Sequence, residues 1–495
     1  MCLTGVVLAL ALAARLVWLD TLPGVNGDEA WYGLWIETAL RDRVWGGATP
    51  TGNLPNPFFL VPLGIVQALA PPAPWVLRAP AVLAGLGFVA VGYACLRAHV
   101  GRSPAAIFVL LAATAPTAIA YARFGWDASE TPLAAVILLW CCLSGKQLWA
   151  AVALVAAFVV HPANVFLAPI FAAFLSEDMK PWVEKYAGGA VTRHLLGILV
   201  AGGAMVALAL ALRLGSIGPS EMASAAYWLR IAGLFSDLFS GVTVFSYIVG
   251  PPDGIILHRV IASLVLVVSL GVLLIGARSV RDSRATALLA GLALSVVAFA
   301  VFVGPSGLSP HRERYALFFV APVLLLVSMA LGRAFGEHSA GGVWFAATLG
   351  CLALVSMWVN YFEPLRLTGG RSHETFRTAA IEPKLQTANW IEASARRCGS
   401  IVAWAESWWL AEPLHYFLFY RSDIAVRQFD EGSLPNAGVC DDLIVTFADS
   451  PSDESVAGRG VTRLTTIPAA SGEALIQIYG VEAKDSQLAP AGSFR

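Results

Sequence analysis

Apolar residues run along this chain in long unbroken stretches rather than in alternation. Eleven such runs stand out, near 2–19, 79–96, 104–120, 131–143, 148–160, 163–175, 194–213, 256–277, 286–303, 315–332 and 341–359. A helix needs roughly 17–25 apolar residues to cross the hydrocarbon core. Continuous runs suit such helices, whereas barrel strands would alternate with a period of two. The three runs between 131 and 175 are short, which blurs their edges. A further run, 57–70, is short and has proline on both sides, so it is expected to lie along the interface rather than to span. The stretch 3–19 lacks a small-residue cleavage site followed by a soluble chain and is expected to be a retained first helix.

Composition agrees with the pattern. Apolar residues make up 57% of the 495 positions and charged residues only 13%. A soluble chain carries about 25% charged residues. Lipid offers the backbone no hydrogen bonds, so only helices and closed barrels span it. The expected fold is therefore a polytopic α-helical membrane protein with about eleven transmembrane helices. Its net charge of −1 gives no reason to expect nucleic acid as a partner.

Charge then sets the sides. With 57–70 left out of the count, the loops 97–103, 145–147, 176–193, 278–285 and 333–340 hold ten Lys and Arg in under fifty residues. The opposite loops, 20–78, 121–130, 214–255 and 304–314, hold seven in over a hundred. The positive-inside rule places the first set in the cytoplasm. The N-terminus is then cytoplasmic, and everything after 360 lies outside a plasma or bacterial inner membrane. Counting 57–70 as a span would scramble this bias.

From about Arg366 the composition turns mixed and charged. The segments 400–405, 442–448 and 474–481 read as strands and 382–397 as a helix, giving a small extracytoplasmic α/β domain. The expected division is a membrane module at 1–362, including the first outer loop 20–78, and a tail domain at 363–495. Cys398 and Cys440 both fall in this tail, where a disulfide would persist, although two separate thiols fit equally well. Cys95, Cys141, Cys142 and Cys351 sit in apolar runs as small hydrophobic residues, and no zinc-ligand spacing is present.

The chemistry-bearing residues gather on the outer side. Asp28 and Glu29 follow the first run. Arg123, Trp126, Asp127 and Glu130 occupy the next outer loop. His161 ends the fifth run, and His311, Arg312, Glu313, Arg314 and Tyr315 lead into the tenth. Each has an ordinary explanation as well. Asp28 and Asp127 could cap helices, His161-Pro162 could end one, and 311–314 could be a solvated loop. Ionisable groups at membrane depth are costly and usually functional. Together they suggest transfer to a nucleophile with loss of an anionic phosphate. A carboxylate would take the acceptor proton, and arginines would hold the phosphate by charge-assisted hydrogen bonds. No phosphate-binding glycine loop of the soluble nucleotide-binding type is present. Trp228, Phe235, Phe239, Phe245 and Tyr247 in the outer loop 227–249 suit an interfacial position beside a lipid carrier, or simple packing on the bundle.

Several motifs resemble those of GT-C glycosyltransferases of the protein O-mannosyltransferase and aminoarabinose transferase (ArnT-like) type, over most of the chain. Gly27-Asp28-Glu29-Ala30-Trp31-Tyr32 resembles the first-loop signature. Asn53-Leu54-Pro55-Asn56-Pro57 and the apolar run after it resemble the interfacial element. Leu77-Arg78 resembles the opening of the second span, Arg123-Phe124-Gly125-Trp126-Asp127 the second loop, and His311-Arg312-Glu313-Arg314-Tyr315 the start of a late span. The resemblance implies a polyprenyl-phosphate sugar donor, a lipid, glycan or protein acceptor, and inversion at the anomeric carbon.

It also implies roles for individual residues. Asp28 would be the general base, Glu29 would position the acceptor or the loop, and Asp127 would support the site. Arg314 and Arg312, with His311 and Arg123, would hold the donor phosphate. Tyr32, Asn56, Trp126, His161 and Tyr315 would line the substrate site. Asn56 departs from the aminoarabinose branch, which carries lysine there, and this sets the chain apart from that branch's phosphate contact. The tail lacks the sugar-binding repeats of eukaryotic mannosyltransferases, which points to a bacterial or archaeal member. The branches resembled work without metal, so no cofactor is expected, although Asp28, Glu29 and Asp127 offer oxygen ligands that a divalent cation could use. A transporter or flippase is the alternative function. It would be expected to show internal repeats and charges at mid-membrane, and the two halves of the chain show no repeat.

Overall fold

The computed structural model describes residues 2–43, 56–187, 224–249, 260–261, 263–268, 271, 283–307, 313–336, 340–372, 380–429, 442–459 and 461–480. In chain order the first helices are α1 (Cys2–Leu16), α2 (Gly27–Asp42), α3 (Pro57–Leu69), α4 (Pro74–His99), α5 (Arg102–Thr114) and α6 (Pro116–Ala122). They are followed by α7 (Thr131–Leu143), α8 (Gln147–Val160), α9 (Ala168–Ala187), α10 (Ala225–Ser240), α11 (Val242–Val249) and α12 (Ser283–Gly307). Then come α13 (Val320–Phe335), α14 (Ala340–Met357), α15 (Glu363–Leu367) and α16 (Ile381–Cys398). The remaining elements are β1 (Ile401–Glu406), α17 (Ser407–Leu418), β2 (Ile424–Phe429), β3 (Asp442–Phe447), α18 (Pro451–Ala457), β4 (Thr462–Pro468) and β5 (Ala474–Gly480). The chain divides into two compact units. One comprises Met1–Val17, Gly46–Pro62 and Arg78–Phe362; the other comprises Trp18–Trp45, Leu63–Leu77 and Glu363–Arg495.

The first unit is a helical bundle. Its innermost helix is α13, in which every residue from Val320 to Gly332 is buried, as expected of a helix that is apolar all round. Ser328 sits within it and satisfies its hydroxyl by donating to the Leu324 carbonyl at 2.7 Å. At the periphery the usual pattern inverts. Helix α8 buries Ala150, Ala153, Ala157 and Val160, a stripe that follows helical spacing. It turns Leu148, Trp149, Val155 and Phe158 outward, with 76% of Leu148 exposed. Small residues inside and large apolar residues outside suit helices packed in lipid, and this is the organisation of a polytopic membrane protein.

Among the described residues, Pro74–His99, Arg284–Val303, Arg314–Phe335 and Ala340–Leu367 are long and apolar enough to cross a membrane. Helices α5 and α6 make a fifth candidate if counted as one span bent by 59°. The bend has a local cause. Pro116 disfavours helical geometry at the residue before it, and Ala115 takes φ −57° and ψ 119°. The expected span 194–213 and most of 256–277 lie outside the described residues. The run expected to stop at 175 continues as α9 to Ala187. Glu177 and Asp178 end the apolar stretch without breaking the helix, since charge does not remove a backbone donor.

Two buried cations stiffen the bundle. Arg15 donates from Nη1 to the carbonyls of Ala11 at 2.9 Å and Ala113 at 2.7 Å, which ties α1 to α5. Arg123 donates from Nη1 to the Ala14 carbonyl at 2.9 Å. Backbone carbonyls are the usual partners for a cation held at membrane depth.

The second unit is built on a five-stranded sheet of order β2-β1-β3-β5-β4. Strand β1 runs parallel to β2 and β3, and β5 runs antiparallel to β3 and β4. Ile401, Ala403 and Ala405 face Ile391 and Ala395 of α16 and Leu410, Leu414 and Leu418 of α17 in one core. A smaller cluster joins Phe429, Ile444, Val456 and Tyr479. The expected strands correspond to β1, β3 and β5, and the expected helix to α16. The edge strands β2 and β4 and the helices α17 and α18 were not foreseen. Whether Cys398 and Cys440 are bridged or free turns on a residue, Cys440, outside the described set.

Helix α2 belongs to this unit and packs along α17. A Cβ at Gly33 would lie 2.5 Å from Leu77 Cδ2 and 2.6 Å from Tyr416 Cε2, so only glycine admits so close an approach. Polar contacts continue the seam. Tyr420 donates its hydroxyl proton to Glu37, and the Arg41 guanidinium lies 4.7 Å from the centre of the Phe419 ring.

Candidate active site

The candidate residues fall into two groups, one in each unit. In the second unit, Asp28 stands in the first turn of α2. The helix is capped by its neighbours: Asn26 is the N-cap, and its Oδ1 accepts from the Glu29 amide at 3.0 Å. Glu29 reaches back to accept from the Asn26 amide at 3.4 Å, completing a capping box. Glu29 is fully buried in that task. The cap read for Asp28 in the sequence is therefore made by Asn26 and Glu29. Asp28 is half-buried, at a helix start that favours negative charge. Its Oδ1 accepts from the Trp408 indole Nε1 at 3.2 Å. Below the loop, the buried Lys384 donates its ammonium proton to the Val25 carbonyl. Tyr32 is buried one turn after Asp28, edge-on to Trp31 with ring centres 5.1 Å apart.

In the first unit, the second loop forms a short 3-10 turn, Asp127–Glu130. Asp127 Oδ1 accepts from the Ala128 amide at 2.7 Å, while Trp126 holds the cap position without a side-chain bond. Asn56 is almost fully buried and bridges two elements. Its Oδ1 accepts from the Phe58 amide at 2.9 Å, capping α3, and its Nδ2 donates to Glu130 Oε2 at 2.8 Å. Burial pushes the Glu130 carboxyl up to about 8, against the pull of the Asn56 bond and with added repulsion from Asp127. Glu130 is mostly protonated near neutral pH.

Arg314 lies beside this loop. Its guanidinium is 4.9 Å from the centre of the Trp126 ring and 5.0 Å from that of Tyr315. Its Nη2 donates to the Tyr315 hydroxyl at 3.1 Å. The His161 and Tyr315 rings are 5.9 Å apart. His161 ends α8 and also caps the 3-10 turn Pro162–Leu167, its Nδ1 accepting from the Ala163 amide at 3.2 Å. Burial, and then the charge of Arg314, push the His161 ring down to about 4. It is neutral near pH 7, and Arg314 keeps its positive charge beside it.

Trp126, His161, Arg314 and Tyr315 thus form one cluster in the first unit, with Asn56 paired to Glu130 and Asp127 three positions before it. Arg123 is fully buried, and its guanidinium lies 4.9 Å from the centre of the Phe362 ring. His311 and Arg312 lie outside the described residues. Among the described residues, no three His, Cys, Asp or Glu side chains converge as a metal site would require.

Comparison with solved structures identifies the architecture. ArnT from Cupriavidus metallidurans, solved bound to undecaprenyl phosphate, aligns over 96% of this chain and 97% of its own, at 15% identity and a TM-score of 0.55. The chain has the GT-C fold. The archaeal oligosaccharyltransferase AglB from Archaeoglobus fulgidus, solved with an inhibitory peptide and a dolichol-phosphate, aligns over 98% of this chain and 74% of its own at 13% identity and a TM-score of 0.47. No family model matches the sequence, and no curated protein matches it either. At this level of identity the GT-C fold is legible from coordinates and from short motifs, and hardly from overall sequence.

Reading the sequence missed Asn26, Lys384 and Trp408 around Asp28, and the pairing of Glu130 with Asn56. Asn26 carried a usable signal, because an N-cap residue followed three positions later by Glu is the mark of a capping box. Trp408 carried none, since it stands 380 positions from the residue it touches.

Proposed function

We propose that this protein is an integral-membrane inverting glycosyltransferase. It moves a sugar from a polyprenyl-phosphate donor to a lipid, glycan or protein hydroxyl on the outer face of the membrane. The acceptor oxygen attacks the anomeric carbon, and the carbon–oxygen bond to the phosphate breaks with its electron pair leaving on the phosphate. Asp28 takes the acceptor proton. The observation that carries this reading is the half-buried Asp28 in the first turn of α2, its Oδ1 accepting from the Trp408 indole, in a chain with the GT-C fold.

Arg314 is proposed to hold the donor phosphate. It is a fixed cation with a neutral histidine and two aromatic rings around it. A preorganised guanidinium stabilises a leaving phosphate without reorganising, and its planar donors match phosphate oxygens. ArnT was solved with undecaprenyl phosphate and AglB with a dolichol-phosphate, and both are polyprenyl phosphates of the class proposed here. Asn56 replaces a lysine of the ArnT-like branch and is occupied by Glu130, so the phosphate contact in this chain is assigned to Arg314. Arg312 and His311 are proposed to assist it, Asp127 to support the loop, and Arg123 to brace the bundle. No cofactor is proposed.

The test is donor turnover. Purified wild type and Asp28→Asn are each offered a panel of polyprenyl-phosphate sugars with envelope extract, and mass spectrometry follows free polyprenyl phosphate. Wild type should release it, and Asp28→Asn should be slower by about 10²–10⁴-fold, the usual contribution of a general base. Folded wild type that releases nothing from any donor would overturn the reading and favour a transporter.

A further inference from the structure

The second unit joins the N-terminal loop to the tail at one point of unusual closeness. A Cβ at Gly27 would stand 2.2 Å from Trp408 Cδ1 and 2.4 Å from its Nε1. No other residue at 27 leaves room for the indole, and the indole in turn reaches Asp28 Oδ1. The backbone delivering Trp408 is itself held in an uncommon state. Ser407 has φ +56°, in the left-handed region that a non-glycine residue adopts only under constraint, and such outliers gather at functional sites. Ser407 and Trp408 follow directly on β1, which lies between β2 and β3 and runs parallel to both. The carboxyl ends of strands at such a reversal of order are where open α/β sheets place their sites. Glu406 anchors the start of the turn by accepting from the Phe447 amide and the Ser450 hydroxyl, each at 2.8 Å. Lys384 secures the loop from the other side through the Val25 carbonyl.

We propose that Trp408 is the positioning residue for Asp28: its indole N–H holds the carboxylate in the orientation that accepts the proton, which makes the tail domain part of the transfer machinery. The inference rests on the reading of Asp28 as proton acceptor. It assigns the tail a purpose that a mere appendage would not need. A carboxylate on a short side chain at a helix start can rotate, and a general base acts only within hydrogen-bond reach of the proton it takes. One donated hydrogen bond from a rigid ring selects one rotamer.

The experiment combines rates with a spectroscopic signature. Trp408→Phe keeps a ring over Gly27 and removes the N–H. Its kcat should fall about tenfold, the worth of one hydrogen bond to a charged group, with KM for the donor unchanged. On an Asp28→Glu background, where the carboxylate is already displaced, the same substitution should cost less than twofold. Trp404→Phe, whose indole N–H has no partner among the described residues, should behave as wild type. Independently of turnover, the protein is labelled with 5-fluorotryptophan, and the fluorine resonance lost in Trp408→Phe is followed. That resonance should shift in Asp28→Asn.

Wild-type kcat in Trp408→Phe would overturn the proposal, as would losses that multiply fully on the Asp28→Glu background. A resonance blind to Asp28→Asn would remove the contact itself. Absence of transfer by wild type would sink the glycosyltransferase reading and the positioning role with it, while the resonance would still decide whether Trp408 touches Asp28.

Discussion

Asp28 and Glu130 are both carboxyls in short helical turns at the ends of loops, and their surroundings differ. Around Asp28 the helix cap is made by other side chains, the carboxylate is half-buried, and an indole N–H points at it. Around Glu130 the side chain is buried, an amide occupies one oxygen, and Asp127 adds like charge, so the acid holds its proton to about pH 8. The first unit therefore holds a protonated Glu130 on the second loop and, in the cluster beside it, a neutral His161 next to Arg314, the surroundings that the proposed phosphate contact calls for. The first loop presents the half-buried Asp28, the proposed acceptor of the hydroxyl proton. Residue type alone does not separate the two environments, whereas capping and burial do.

The strongest test of that contrast is one chemical change made twice. Asp28→Asn should cut turnover by about 10²–10⁴-fold. Glu130→Gln replaces a protonated acid with an amide of the same shape and should leave turnover at pH 7 within about threefold of wild type, because the Asn56 bond survives. Equal losses at the two positions would erase the distinction. Arg314→Gln comes next. Removing a charge-assisted phosphate contact should lower kcat/KM for the donor by about ten- to a hundredfold, and Arg314→Lys should recover part of it as a point charge without the planar donors. Unchanged donor kinetics in Arg314→Gln would take the phosphate away from Arg314.

Glu130 makes a further, smaller prediction through stability. Its folded-state carboxyl binds a proton more tightly than the unfolded one, so its contribution is complete below about pH 4.5 and is lost as pH rises through about 8. Glu130→Gln carries no such group. Its melting temperature in detergent should match wild type below pH 4.5, exceed it increasingly between about pH 4.5 and 8, and keep a constant margin above that. A gap that stays constant with pH would mean that Glu130 is not the buried acid described.

These contrasts were unevenly legible in the sequence. The helical membrane class was plain, because lipid demands continuous apolar runs and α8 and α13 carry them. Strands β1, β3 and β5 were legible for the same reason, as buried apolar runs. The edge strands were not. Residues 424–429 and 462–468 are largely polar or half-exposed, since an edge has fewer neighbours to pack against. The short motifs around Asp28 and Asp127 single out both loops, but their spacing says nothing of which carboxyl is buried. That depends on Asn56, 74 positions from Glu130, and on Trp408, 380 positions from Asp28. Packing between such distant residues leaves no periodicity to read.

The smallest predicted effect probes how the helix cap bears on Asp28. Asn26→Ala removes the capping oxygen and should destabilise the protein by about 1 kcal/mol, the usual worth of an N-cap, whereas Asn26→Asp should stay close to wild type because aspartate caps equally well. Stability alone would not discriminate, since any lost cap lowers it. The informative readout is turnover by Asn26→Ala under conditions where it remains folded. With Asn26 silenced, the amide of Glu29 needs a new acceptor, and the nearest carboxylate in sequence is Asp28. Drawing Asp28 toward the helix backbone would take it off Trp408 and away from the incoming hydroxyl, so kcat should fall by more than the loss of folded protein explains, and Asn26→Asp should restore it. If Asn26→Ala turns over at the wild-type rate per folded molecule, Asp28 holds its orientation without the capping box.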